Sequence, residues 1–165
     1  MIQKKVGVDS MEGKKHLTVK RSLYVIAFCA LTIAGGCSSD LTDDPIPIRA
    51  FPPKVIVINL PENIALKSKG AAREYNDIGV RGVIVYCADV GVYHAYERNC
   101  SFHPNDACAT VNIDNSLLFL TDPCCGSSFD FNTGNPMGGA AWRPLREYKS
   151  SFDGSQLVIT DEPVQ

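Results

Sequence analysis

From residue 54 onward the apolar positions fall in short runs, four to ten residues long, each bounded by Gly, Pro, Asn or Asp. Runs of that length with such boundaries are the signature of strands. KVIVINL (54–60) is brief and β-branched, GVRGVIVYCA (79–88) is a longer apolar run, and GVYHAYER (91–98) alternates. ATVNI (109–113), LLFLT (117–121), SFDF (128–131), LREYKS (145–150) and QLVIT (156–160) continue the series. No segment keeps an apolar period of 3.6 residues over two turns, so no helix is predicted. The pattern predicts an all-β domain over residues 54–165, a small antiparallel sandwich or barrel. Asp114-Asn115 and Asp153-Gly154 lie between apolar runs and predict hairpin turns.

The chain before residue 54 follows different rules. Pro45, Pro47, Pro52 and Pro53 exclude a helix from SSDLTDDPIPIRAFPP (38–53), which reads as an extended tether starting at residue 37. Within residues 1–36, a basic run (Lys14, Lys15, Lys20, Arg21) precedes an apolar stretch over 23–33 and then Ala34-Gly35-Gly36-Cys37. A charged segment, an apolar core of about 7–15 residues and small residues before a cut site make an export signal, whereas a spanning helix needs roughly 20 residues. Met11 is an alternative start. Small residues directly before a cysteine resemble the bacterial lipobox, although Ala34 stands where a larger aliphatic residue is usual. That resemblance implies acylation of Cys37, with palmitate or a similar chain, and a lipid anchor in a membrane of the cell envelope, facing the periplasm or the exterior. A soluble secreted protein cut at Ala34 or Gly36 and an uncleaved anchor are the other readings.

Composition narrows the partners. The chain has 165 residues, enough for one domain, with 45% hydrophobic and 21% charged residues and a net charge of -2. From Cys37 onward there are 10 Lys plus Arg against 16 Asp plus Glu, so the exported part carries -6. That charge disfavours nucleic acid and anionic lipid and leaves membrane contact to the lipid anchor. An envelope protein partner leaves no recognisable trace. Cys29 leaves with the signal and Cys37 takes the lipid, so Cys87, Cys100, Cys108, Cys124 and Cys125 remain for an oxidising compartment that favours disulfides. The odd count predicts one thiol left over. Cys87 lies in an apolar run and reads as a small buried hydrophobe. His94 shares a strand face with Val92 and Tyr96 and reads as a structural neighbour.

Polar chemistry gathers in YERNCSFHPNDACATV (96–111) and TDPCCGSSFDF (121–131), separated by about two strands. A hairpin between them would bring four cysteines and His103 to one end of a sheet. Metal ligands, a redox pair and disulfides are all open there. Cys100-x2-His103 has zinc half-site spacing, to be completed by Cys108, Cys124 or Cys125, but adjacent cysteines rarely point at one ion. Four cysteines allow three disulfide pairings, and sequence does not choose among them. Asp106, Asp122 and Asp130 read as turn caps, and Ser127 lacks the strand–turn–helix setting of a nucleophile elbow. No catalytic constellation emerges, so an enzyme is not the preferred reading.

The same loops resemble those of the Rieske-type iron-sulfur domain family. The family's second loop, C-P-C-H-G-S-x-F, is similar to Asp122-Pro123-Cys124-Cys125-Gly126-Ser127-Ser128-Phe129, and its cluster-shielding G-P-A-x-x-P-L is similar to Gly139-Ala140-Ala141-Trp142-Arg143-Pro144-Leu145. With flanking strands the resemblance spans residues 83–159. It implies a small Rieske-like antiparallel β-fold with two cysteine loops at one end. A Rieske cluster is held by two cysteines on one iron and two histidines on the other. Here Asp122 stands at the family's ligand cysteine and Cys125 at its ligand histidine. In the first loop, C-x-H-x-G-C, Cys100 matches while His103 is displaced by one residue.

The resemblance therefore implies a degenerate site with no metal and no cofactor as the preferred reading. In many members the second cysteine of each loop forms a bridge, which implies Cys108–Cys124. Cys100 and Cys125 fall at ligand positions and, without iron, are paired as a second bridge. Trp142 in the shielding loop is expected to pack as a lid over the bridges. The expected function is a membrane-anchored binding or structural module. The alternative is a membrane-attached electron-transfer module holding a [2Fe-2S] cluster, or zinc, through Cys100, His103, Cys124 and Cys125. A subunit of a ring-hydroxylating oxygenase would need a mononuclear iron domain, for which the sequence offers no His-rich segment.

Overall fold

The computed structural model describes residues 44–164. The export signal over 1–36 and the acylated Cys37 lie outside the described residues. Among the described residues ten strands form, joined by loops and a single 3-10 turn at Ile64–Lys67. The domain is all-β, with an antiparallel sheet that curls on itself.

Six strands make the larger sheet: β1 (Lys54–Val57), β2 (Ala72–Tyr75), β3 (Val83–Asp89), β4 (Val92–Glu97), β9 (Glu147–Phe152) and β10 (Gln156–Pro163). Their order is β1-β10-β9-β4-β3-β2, every pair antiparallel. β5 (Asn112–Ile113), β6 (Leu120–Asp122), β7 (Ser127–Phe129) and β8 (Pro136–Gly138) form a second, four-stranded sheet inserted between β4 and β9.

The two sheets explain why β3 is a continuous apolar run rather than an alternating one. Successive side chains on a strand point to opposite faces. Val83, Val85 and Cys87 enter one core with Ile56, Ala95, Tyr148, Leu157 and Ile159. Ile84 and Tyr86 enter a second with Tyr96, Cys100, Val111, Leu120 and Phe129. β3 is thus buried on both faces, and the second core seats the cysteine loops on the large sheet. Cys87 is fully buried in the first core. His94 stacks on Tyr96 with ring centroids 5.9 Å apart, and its Nδ1 lies 2.7 Å from Glu147 Oε1.

Three expectations need correction. The run at 117–121 is a strand only from Leu120. The Asp114 carboxylate accepts the Ser116 N–H, Leu117 takes a positive φ of 60°, and Leu117 and Leu118 are exposed within a longer turn. β2 and β8 were not expected. AREY is a half-buried strand at a sheet edge, and β8 opens on Pro136, also at an edge, where a missing N–H costs no ladder bond. The tether is extended, but from residue 44 it is held to the domain. Arg143 donates to the Asp44 carbonyl at 2.9 Å, and Phe51 packs edge-on against Tyr148 at 5.1 Å. The turn at Asp153-Gly154 forms between β9 and β10, where the Asp153 carboxylate accepts the Ser155 and Gln156 N–H groups and Gly154 takes φ +100°.

Candidate functional site

The inserted sheet carries both cysteine loops. The first leaves β4 and is fixed early by an isolated bridge between Asn99 and Thr110. Its backbone is held by the Arg81 guanidinium, which donates to the Ala107 carbonyl at 2.7 Å and to the carbonyl of Asp106 and the side chain of Asn99. Arg81 is itself positioned by the preceding turn, whose Val80 and Arg81 N–H groups bond the buried Glu97 carboxylate at 2.8 and 3.0 Å. The second loop is the tight β6–β7 turn over residues 123–126, closed by the Gly126 N–H on the Asp122 carbonyl at 2.9 Å.

The loops meet through two sulfur contacts. Cys108 and Cys124 are joined by a disulfide, Cα atoms 5.6 Å apart, at the exposed rim. A bridge closing a sequence separation of 16 residues stabilises by roughly 3 kcal/mol on the chain-entropy model. Beneath it, Cys100 and Cys125 are free, with sulfurs 3.8 Å apart. The second bridge expected between them is therefore not formed in this structure. Cys125 Sγ also lies 3.3 Å from Asp122 Oδ2 and 3.0 Å from Ser127 Oγ.

Cys100, Asp122 and Cys125 form one cluster whose donor atoms all lie within 4.8 Å of one another. Cys100 and Asp122 have no exposed surface, and Cys125 is half-buried. The Cys100 thiol is pushed well above its ordinary range, first by burial and then by the Asp122 carboxylate. Asp122 Oδ1 accepts the Cys124 N–H at 2.9 Å. No Lys, Arg or His among the described residues forms an ion pair with Asp122.

The shielding segment docks on this cluster by its backbone. Ala140 and Ala141 N–H both donate to Ser127 Oγ, at 3.1 and 2.8 Å, and Gly139 sits so close that a Cβ there would be 2.4 Å from the Gly126 oxygen. Trp142, expected as a lid over the bridges, is 44% exposed, and the Arg143 guanidinium lies over its ring at 5.1 Å.

The site residues expected from sequence are therefore divided. Cys108 and Cys124 are spent on each other, and Cys100 and Cys125 face Asp122. His103 stands outside the cluster, with a positive φ of 45° and its ring against Phe102. A [2Fe-2S] centre of the Rieske kind needs two thiolates and two imidazoles, and the donor group here offers two sulfurs, one carboxylate and no imidazole. Sequence reasoning missed Ser127 as the bridge between loop two and the shielding segment, and Arg81 as the clamp on loop one. Ser127 lies in the second-loop motif and Arg81 in none, but each role depends on backbone groups distant in the chain.

No family model matches this chain, and no curated protein matches it. Solved structures do. One, described as the complex of reduced oxygenase and oxidized ferredoxin in carbazole 1,9a-dioxygenase, is 19% identical over 59% of this chain and 87% of that chain, with a TM-score of 0.44. Another, the ferredoxin of carbazole 1,9a-dioxygenase from Nocardioides aromaticivorans IC177, is 17% identical over 72% of this chain and the whole of that chain, with a TM-score of 0.42.

Proposed function

We propose that this chain is an exported, lipid-anchored protein whose domain is Rieske-like, lacks a [2Fe-2S] cluster, and serves as a binding or structural module at the cell envelope rather than as an enzyme. The observation that carries the reading is the donor set where the two loops meet. Cys100, Asp122 and Cys125 converge, Cys124 is engaged by Cys108, and His103 stays apart. Carboxylate oxygen is a hard donor and a poor match for an iron-sulfur centre. The tether supports the anchoring half of the reading: its last residues run along the domain surface, while the basic and apolar residues upstream have the order of an export signal.

The test is spectroscopy of protein purified from the membrane fraction without air. The expected result is no visible absorption, no paramagnetic signal after reduction with dithionite, and iron far below two atoms per chain. A Rieske-type signal with two irons per chain would overturn the reading in favour of a membrane-attached electron-transfer module.

A further inference from the structure

The Cys100, Asp122 and Cys125 donors all lie within 4.8 Å of one another, and two of their separations match those between ligands of one tetrahedral ion. Zinc–sulfur bonds of about 2.3 Å at a tetrahedral angle put two sulfurs about 3.8 Å apart, and a zinc–oxygen bond of about 2.0 Å puts sulfur and oxygen about 3.5 Å apart. The observed separations are 3.8 Å for Cys100 Sγ to Cys125 Sγ and 3.3 Å for Cys125 Sγ to Asp122 Oδ2.

Two further observations ask for a cation there. Asp122 is fully buried and its oxygens accept from the Cys124 N–H and the Cys125 thiol, but no cationic side chain among the described residues forms an ion pair with it. Ser127 Oγ accepts the Ala140 and Ala141 N–H groups and lies 3.0 Å from Cys125 Sγ, whose thiol donates to it; once that thiol proton is lost to a metal, the hydroxyl's own proton is free to donate to the sulfur. That is the orientation in which a hydroxyl supports a sulfur that is a metal ligand, as outer partners of metal sites do.

We propose that Cys100, Cys125 and Asp122 bind one zinc ion, with a solvent molecule from the half-exposed Cys125 side as the fourth ligand. The inference rests on the cluster-free reading above and replaces an iron pair by a mononuclear ion. The charges balance without opening the core. Binding releases two thiol protons to solvent and brings in one divalent cation, so the net charge of the buried site is unchanged. Three protein ligands and one open position match zinc sites that take an exogenous ligand, here an anion or a thiolate displacing the water.

The experiment uses full-length protein solubilised from membranes. Elemental analysis is expected to give about one zinc per chain and no stoichiometric iron. Cobalt(II) replacing zinc should give sulfur-to-metal charge-transfer absorption with the intense visible bands of a tetrahedral ion. Zinc should protect Cys100 and Cys125 from alkylation mapped by mass spectrometry, a readout that needs no variant. Asp122→Asn and Cys125→Ser, checked for fold by circular dichroism, should lose the ion. Cys87→Ala should keep it, and Ser127→Ala should bind it about 10–100-fold more weakly. Failure of the reduced protein to take up zinc or cobalt, or unchanged alkylation of the two thiols when zinc is added, overturns the site and leaves the cluster-free reading intact. Two irons per chain overturn both.

Discussion

Glu97 shows how one buried side chain organises a functional end of the molecule without touching it. Its carboxylate is fully buried and accepts from Val80 N–H, Arg81 N–H, Asn99 N–H and the Tyr148 hydroxyl, the last at 2.8 Å. These donors come from the β2–β3 turn, the end of β4 and β9, so a single acceptor pair aligns three segments and aims Arg81 at loop one. An amide in its place would turn an NH2 group toward N–H donors and strand them. Glu97→Gln is expected to cost roughly 2 kcal/mol or more in urea unfolding. It should also loosen loop one, seen as faster amide exchange at Asp106 and Cys108. A variant that unfolds at the wild-type urea concentration would refute this assignment.

Among the elements, the shielding segment is the most exacting. Gly139 has φ +88°, and a Cβ there would clash with Gly126 and Ser127 at 2.4 Å, contacts made by backbone that cannot swing away. Gly139→Ala should therefore lift the segment, break the Ala140 and Ala141 bonds to Ser127, and raise the alkylation rate of Cys125 severalfold. An unchanged rate would show that the segment does not cover the cluster. How far such elements are legible in sequence depends on what sets them. β3 is visible because two cores bury both of its faces, and the hairpin at Asp153-Gly154 because its residue pair dictates the turn. β2 hides because an edge strand such as AREY has no apolar face to advertise, and Leu117-Leu118 mislead because a capped turn overrides two strand-forming side chains. In the site, Asp122 and Cys125 are visible as departures from a loop pattern. Their grouping with Cys100 and the displacement of His103 arise only when the two loops are packed on the second core.

At the scale of the whole molecule, burial of phenols sets an alkaline limit. Burial raises the Tyr75 hydroxyl from about 10 to about 12, and raises Tyr93, Tyr96 and Tyr148 in the same direction. A folded value above the unfolded one means that the fold favours the neutral phenol. This contribution is complete below pH 10 and is lost as pH rises through about 12. The expected outcome is a steep, co-operative rise in phenolate absorbance above pH 10 that coincides with loss of near-ultraviolet circular dichroism. A gradual titration with the fold intact would contradict it.

The strand order has a consequence for how the chain is made. Among the described residues β1 is the first strand and pairs with β10, Lys54 opposite Ile159, so its partner follows the other eight strands of the domain in the chain. Pairings that distant carry a large loop-closure cost and form late. If the chain crosses a membrane from its N-terminal end, β1 must wait on the far side, unpaired, until almost the whole domain has followed. Such a strand is open to chaperones, proteases and neighbouring copies, and the closing of β10 onto it marks the end of that exposure.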